Sequence, residues 1–159
     1  AGVFEFLLVN HPLDCPVCDK GGECPLQDFS YTFGPAESRM DFPRRVFDGE
    51  GVKADVDFGP TLMLNRNRCI LCTRCVRTCD EIEGAHTWDV MGRGTDSRVI
   101  TDMAQPWGEA ATCTSCGKCV QACPTGALFR KGSSIAEMSR DRERLALLVL
   151  QRETHQWPG

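Results

Sequence analysis

Cysteine spacing constrains this chain more than any other feature. In "NRCILCTRCVRTCD" (67–80), Cys69, Cys72, Cys75 and Cys79 fall within eleven positions, and 44 residues later "ATCTSCGKCVQACP" (111–124) repeats the steps with Cys113, Cys116, Cys119 and Cys123. Three cysteines set three residues apart cannot all pair with one another, but they can all point into one loop cavity. The chain has 11 cysteines, an odd number, and no basic start followed by an apolar run and a cleavage site. Both facts speak against a disulfide framework and against secretion. Thiolate sites in a reducing, cytoplasmic setting are the expectation.

The run C-x2-C-x2-C-x3-C, with Pro124 after the last cysteine, matches the ligand pattern of two-cluster bacterial ferredoxins. Soft, covalently donating thiolates suit iron–sulfur cores. In that pattern three cysteines of a loop hold three corners of a cubane, and the fourth is carried away to the other cluster as a helix begins. One [4Fe–4S] cluster is therefore assigned to Cys69, Cys72, Cys75 and Cys123, and another to Cys113, Cys116, Cys119 and Cys79. Thr114, Ser115 and Gly117 leave backbone N–H groups free to approach the second cluster, whereas Ile70 and Leu71 would shield the first from water. The two potentials should differ accordingly.

Cys15, Cys18 and Cys24 remain, one ligand short of a site, and His11 stands four residues before Cys15. H-x3-C-x2-C-x5-C completes a third set, and with it twelve ligands make three sites with no cysteine left over. A neutral imidazole in place of a thiolate removes one negative charge, a substitution that raises the potential in Rieske centres. Zinc is the alternative, because three cysteines and a histidine also form a zinc set. The doubled CxxCxxCxxxC run is unlike the paired cysteines of zinc modules, so zinc stays open chiefly for the His11 site. His86 and His155 have no cysteine pattern around them and read as packing or surface residues, and Trp88, Trp107 and Trp157 as packing.

The remaining sequence divides around these motifs. Residues 1–34 form the His/Cys module. Residues 3–9 end a helix before "NHP", and a second helix begins with Pro25 at its first position, carries Leu26, Phe29 and Phe33 as a stripe, and stops at Gly34. Residues 35–66, rich in Pro, Gly, Asp and Arg without periodicity, read as a wrapping connector. Residues 67–132 hold the two-cluster unit, with a hairpin around "GRGTDS" and a short strand at "ALFRK". Residues 133–159 read as a helical tail that starts on a capping box of Ser134 and Glu137. Its Leu-rich end packs on the core or docks on a neighbouring subunit. The expected class is α+β: a small cluster module, a bacterial two-[4Fe–4S] ferredoxin-like domain and a C-terminal helix. With 18 basic and 22 acidic residues, the net charge of −4 speaks against a nucleic-acid surface. The longest apolar run, "LALLVL", is far short of the roughly 20 residues that span a bilayer. Ala1 already stands in an apolar segment, as in the downstream part of a longer polypeptide.

"NHPLDCPVCDKGGECPLQD" resembles the segment with one histidine and three cysteine ligands in the large peripheral-arm iron–sulfur subunit of respiratory complex I. "NRCILCTRCVRTCDEIEGAHTWDVMGRG" and "QPWGEAATCTSCGKCVQACPTGALFRKG" resemble more narrowly the small diaphorase iron–sulfur subunit of bidirectional NAD-reducing [NiFe] hydrogenases. The short tail also fits the hydrogenase subunit, since the complex I subunit continues into a large molybdopterin-enzyme-like domain. Such subunits begin with a plant-type [2Fe–2S] domain, which this sequence does not contain. The resemblance implies an electron-transfer subunit with no catalytic residue of its own. It would relay electrons between a flavin/NAD(H)-binding diaphorase subunit and a hydrogenase small subunit. The same relay in an NAD-dependent formate dehydrogenase or a complex I-like enzyme is the runner-up, and a zinc-stabilised interaction module the alternative of another class.

Overall fold

The computed structural model describes residues 2–47 and 62–130. The tail helix expected over 134–153, and with it His155 and Trp157, lies outside the described residues. Two helices open the chain, α1 (Gly2–Leu8) and α2 (Pro25–Phe33). Pro25 occupies the first turn of α2 as anticipated, where its missing N–H costs no bond. The helices meet through aromatic rings: Phe4 lies 6.1 Å from Phe29 and 6.2 Å from Phe33, centroid to centroid. Leu26 is buried, but Phe29 and Phe33 keep about half their surface exposed, so the stripe is only partly covered.

Residues after α2 bond back to the start of the chain. Arg39 grips the buried carboxylate of Glu5 in α1 through its backbone N–H and its guanidinium. Further on, the Arg45 N–H donates to Asn10 Oδ1 (2.8 Å) and the Phe47 N–H to Asn67 Oδ1 (2.9 Å), tying the connector to both halves of the chain.

Residues 62–130 fold as an interlocked repeat. Strand β1 (Leu62–Leu64) pairs antiparallel with the terminal β4 (Leu128–Arg130), with Met63 opposite Phe129. No local signal marks β1, since it sits at the end of an aperiodic stretch and only its distant partner makes it a strand. The expected hairpin is present as β2 (Trp88–Met91) and β3 (Arg98–Thr101), with Trp88 opposite Thr101. Two short helices carry the cysteine blocks: α3 (Arg74–Arg77), continued by a wider turn over Thr78–Glu83, and α4 (Lys118–Ala122).

Alternation on β1 and β4 sorts their side chains. Leu62, Leu64 and Leu128 face a core shared with Trp88, Val99, Trp107 and Ala127, while Met63 and Phe129 pack together as a separate pair. Cys75, Cys79, Cys119 and Cys123 belong to the main core. A core with four thiols among so few large apolar side chains is small for a free-standing unit.

Candidate iron–sulfur centres

The two cysteine loops share one backbone path. Leu71 and Thr73, flanking Cys72, have φ of 55° and 57°; Ser115 and Gly117, flanking Cys116, have φ of 57° and 73°. Left-handed residues on either side of the middle cysteine curl the loop so that successive N–H groups line a concavity suited to anionic sulfur. Glycine adopts this conformation without strain at 117, whereas Leu71 and Thr73 hold it against side-chain sterics. In the first loop the Leu71 N–H already donates to Cys69 Sγ at 3.4 Å. Leu71 packs against the core, while Thr114, Ser115 and Cys116 of the second loop are exposed, which matches the difference in shielding read from the sequence.

Each loop ends in a short helix that carries its third cysteine inside and its fourth beyond. Cys75 is the second residue of α3 and Cys79 lies a turn later; Cys119 is the second residue of α4 and Cys123 follows its end. The helix thus begins before the third cysteine, not at the fourth. Its four-residue reach is what separates the fourth from the other three.

Two cavities result. One is lined by Cys69, Cys72, Cys75 and Cys123, together with Leu64, Ile70, Val99 and Ala127. The other is lined by Cys79, Cys113, Cys116 and Cys119, with Leu62, Ala85 and Trp88. Each cavity takes three cysteines from one block and the fourth from the other. Among the described residues, no three His, Cys, Asp or Glu side chains converge as on a single metal ion.

Burial pushes the Cys69 and Cys119 thiols up to about 11, and that of Cys75 higher still. In an apolar cavity these groups keep their protons unless a metal cation replaces them. The donor set therefore fits iron–sulfur cores: soft sulfur ligands that gain their charge only with the metal.

Trp88 and Trp107 are buried and meet edge to face, with centroids 4.8 Å apart, as packing residues should. They also do something the sequence did not signal. Trp107 Nε1 donates to Cys113 Sγ at 3.2 Å, and Trp88 draws the Cys119 thiol pKa down against the effect of burial. An indole N–H thus reaches a sulfur of the second cavity. At its rim, Lys118 and Thr114 both bond Glu83, holding its carboxyl down at about 2. His86 is exposed and pairs with Asp80, in keeping with a surface role.

The N-terminal set is arranged differently. A 3-10 turn over Cys15–Val17 leaves Cys15 exposed, with Cys18 half-buried and Cys24 buried at the start of α2. The segment rests against the turn after Cys123: Cys24 Sγ lies 3.6 Å from the Pro124 carbonyl oxygen. A β-carbon on Gly126 would stand 2.2 Å from Cys18 Sγ. His11 Nδ1 is buried without a hydrogen-bond partner among the described residues. Burial, then the Arg68 and Arg44 charges, lower the His11 pKa against the pull of Asp14. A neutral imidazole with an unused nitrogen fits a metal ligand. The structure thus brings Cys18 and Cys24 onto the ferredoxin-like unit and leaves Cys15 exposed. Arg68 and Gly126, at the centre of this junction, carry no metal-ligand pattern and were not legible as site residues.

Comparison with known proteins follows the same division. Residues 1–39 match the NADH-ubiquinone oxidoreductase-G iron-sulfur binding region, and residues 59–129 match the ferredoxin-like domain of NADH-quinone oxidoreductase subunit 3. A G-type subunit of the NADH-quinone oxidoreductase of Rhizobium meliloti is 47% identical over 129 residues, covering 81% of this chain and 14% of that protein. The mitochondrial NADH-ubiquinone oxidoreductase 78 kDa subunit of Neurospora crassa is 42% identical over 130 residues, covering 82% of this chain and 16% of its own length. The chain therefore spans about a seventh of the length of these curated relatives. Among solved structures, the NAD+-reducing [NiFe]-hydrogenase in the H2-reduced state superposes with a TM-score of 0.66 at 32% identity, over 83% of this chain and 53% of that one. No helix among the described residues is long and apolar enough to cross a membrane.

Proposed function

Since this chain belongs to the iron–sulfur family that joins the G-type subunits of NADH-quinone oxidoreductases with NAD-reducing hydrogenases, we propose that it relays electrons through three [4Fe–4S] clusters between active sites on partner subunits. Bound in these cavities, such clusters pass one electron at a time, which links two-electron hydride and hydrogen chemistry at separate sites. The observation that carries this reading is the composition of the two cavities, each with three cysteines of one block and the fourth of the other. Cys69, Cys72, Cys75 and Cys123 would hold one cluster and Cys113, Cys116, Cys119 and Cys79 another, with His11, Cys15, Cys18 and Cys24 holding the third.

The chain's own residues hold these ligands in a fixed order. Cys123 lies in the first-loop cavity, and the next three residues, Pro124–Gly126, bear the segment of Cys18 and Cys24. The His/Cys site and the first-loop site are thus neighbours along one turn of backbone, and α3 and α4 connect the first-loop site to the second. Leu64, Val99, Ala127 and Leu128 keep water from the first-loop cavity, and Trp88, Ala85 and Leu62 do so for the other.

The proposed partners are a flavin/NAD-binding diaphorase subunit and a hydrogenase small subunit, in a cytoplasmic complex where thiolates stay reduced. Support comes from the hydrogenase superposition. The higher identity to the quinone oxidoreductase subunits favours a second reading, the same relay in a complex I-like enzyme. Anaerobic purification with bound partners separates the two. Nickel in the complex and H2-dependent NAD+ reduction support the hydrogenase reading; NADH-dependent quinone reduction without nickel supports the second. Zinc without acid-labile sulfide would refute the relay in either.

A further inference from the structure

Arg68 has no place in the ligand pattern, yet it is among the most deeply buried side chains, at 1% exposure. It ends the 3-10 turn Arg66–Arg68, directly before Cys69. Its backbone is part of the junction, since its carbonyl oxygen accepts from Thr125 Oγ1 at 2.9 Å. Its side chain runs toward the His/Cys segment, where Nε donates to Asp14 Oδ2 at 2.9 Å. Beyond that bond, Nη1 and Nη2 are buried and have no partner among the described residues. Four N–H donors of a permanent cation are thus removed from water with nothing to receive them. Such an arrangement is costly unless an acceptor stands in the same space.

The acceptor is indicated by what surrounds these groups. The position of a β-carbon on Gly126 lies 2.2 Å from Cys18 Sγ and 3.7 Å from Arg68 Nη1, so sulfur and guanidinium are at most about 6 Å apart. The Arg68 charge also acts on His11. Two of the four proposed ligands of the N-terminal cluster therefore lie within its field. Gly126 leaves room for this approach because it has no side chain.

We propose that Arg68 is a positioning residue for the His11/Cys15/Cys18/Cys24 cluster, its Nη groups donating to the cluster's sulfur atoms and its charge favouring the reduced form. The inference rests on the three-cluster reading above. One imidazole in place of a thiolate already makes this cluster less negative than its neighbours, and a fixed cation adds to the effect. Both raise the potential of the N-terminal cluster above that of the same site with four thiolates and no cation. Asp14, 30% exposed beside the same guanidinium, offsets part of the charge and fixes its plane.

The test is a mediator titration of the anaerobically purified protein in its complex, followed by electron paramagnetic resonance, with iron and sulfide measured for each variant. At the potential that half-reduces the native N-terminal cluster, Arg68→Gln should lower its reduced-to-oxidised ratio by at least about tenfold, the order expected for a unit charge at this range. Arg68→Lys should recover part of the shift, and Asp14→Asn should move it the opposite way. If Arg68→Gln fails to assemble, Arg68→Lys decides the matter: a potential below the native one supports the proposal, and a native potential overturns it. Unchanged potentials with the cluster present, or a shift of the same sign in the Gln and Asn variants, overturn the proposal. A native protein with no third cluster signal overturns the three-cluster reading itself, and shows this before any variant is made.

Discussion

Gly126→Ala is the substitution whose consequence can be worked most fully from the structure. The added β-carbon would stand 2.2 Å from Cys18 Sγ. Non-bonded heavy atoms are comfortable at roughly 3.5–4.0 Å, so one of the two must move by more than about 1 Å. Neither side gives easily. The Gly126 backbone is continuous with Ala127 and β4, whose register with β1 is set by the Asn65 N–H donating to the Ala127 carbonyl oxygen at 2.7 Å. As an iron ligand, Cys18 would be held in place by its bond to the metal. Overpacking of this kind costs about 1–3 kcal/mol, and here the cost falls on the junction between the N-terminal segment and the ferredoxin-like unit. The expected outcome is loss or distortion of the N-terminal cluster alone, with iron per chain falling by about a third. Iron and sulfide analysis with resonance spectroscopy reads this directly. A native iron content with an unaltered N-terminal signal would refute the docking geometry.

Trp107→Phe keeps most of the apolar surface but removes the indole N–H that reaches Cys113 Sγ at 3.2 Å. The cluster of the second loop should become harder to reduce, by roughly 30–60 mV, the equivalent of about 1 kcal/mol for one electron; an unchanged potential would show that the contact has no influence there. The Glu5–Arg39 clasp predicts a pH effect. Hydrogen bonds from Arg39, first the side chain and then the backbone N–H, hold the Glu5 carboxyl below the usual carboxylate range. A lowered folded-state pKa contributes stability that is present above the unfolded value and lost as pH falls through the lowered one. Proteolysis of residues 35–47 should therefore speed up below about pH 4, and Glu5→Gln should show the same speed near neutrality. Cleavage independent of pH and of the substitution would remove the clasp from the account.

The legible and illegible parts of this chain differ in their physics. The cysteine blocks stand out because their spacing is local, and each cavity is lined by three cysteines of one block and the fourth of the other. Pro25, the hairpin turn after Met91 and the strand at Leu128–Arg130 were readable for the same reason, since each carries a local signal. Strand β1 was not, because Leu62–Leu64 becomes a strand only through Arg130, Phe129 and Leu128, more than sixty residues away. Arg68, Gly126 and the two tryptophans were also missed as site residues. Their roles arise from contacts across the junction or through the core, and "NRNRC" reads as a basic surface turn until both its arginines prove buried. Side-chain placement of that kind leaves no periodicity to find.

The central claim is that one chain holds three clusters, two of them cross-ligated. The most direct measurement is iron and acid-labile sulfide per chain in the native protein and in Cys79→Ala, with a resonance spectrum of each. The native protein should contain about 12 iron and about 12 sulfide, and Cys79→Ala should alter the cluster of Cys113, Cys116 and Cys119 while leaving that of the first loop intact. Damage confined to the cluster of Cys69, Cys72 and Cys75, Cys79's own block, would contradict the cross-ligation; zinc in place of iron and sulfide would contradict the account as a whole.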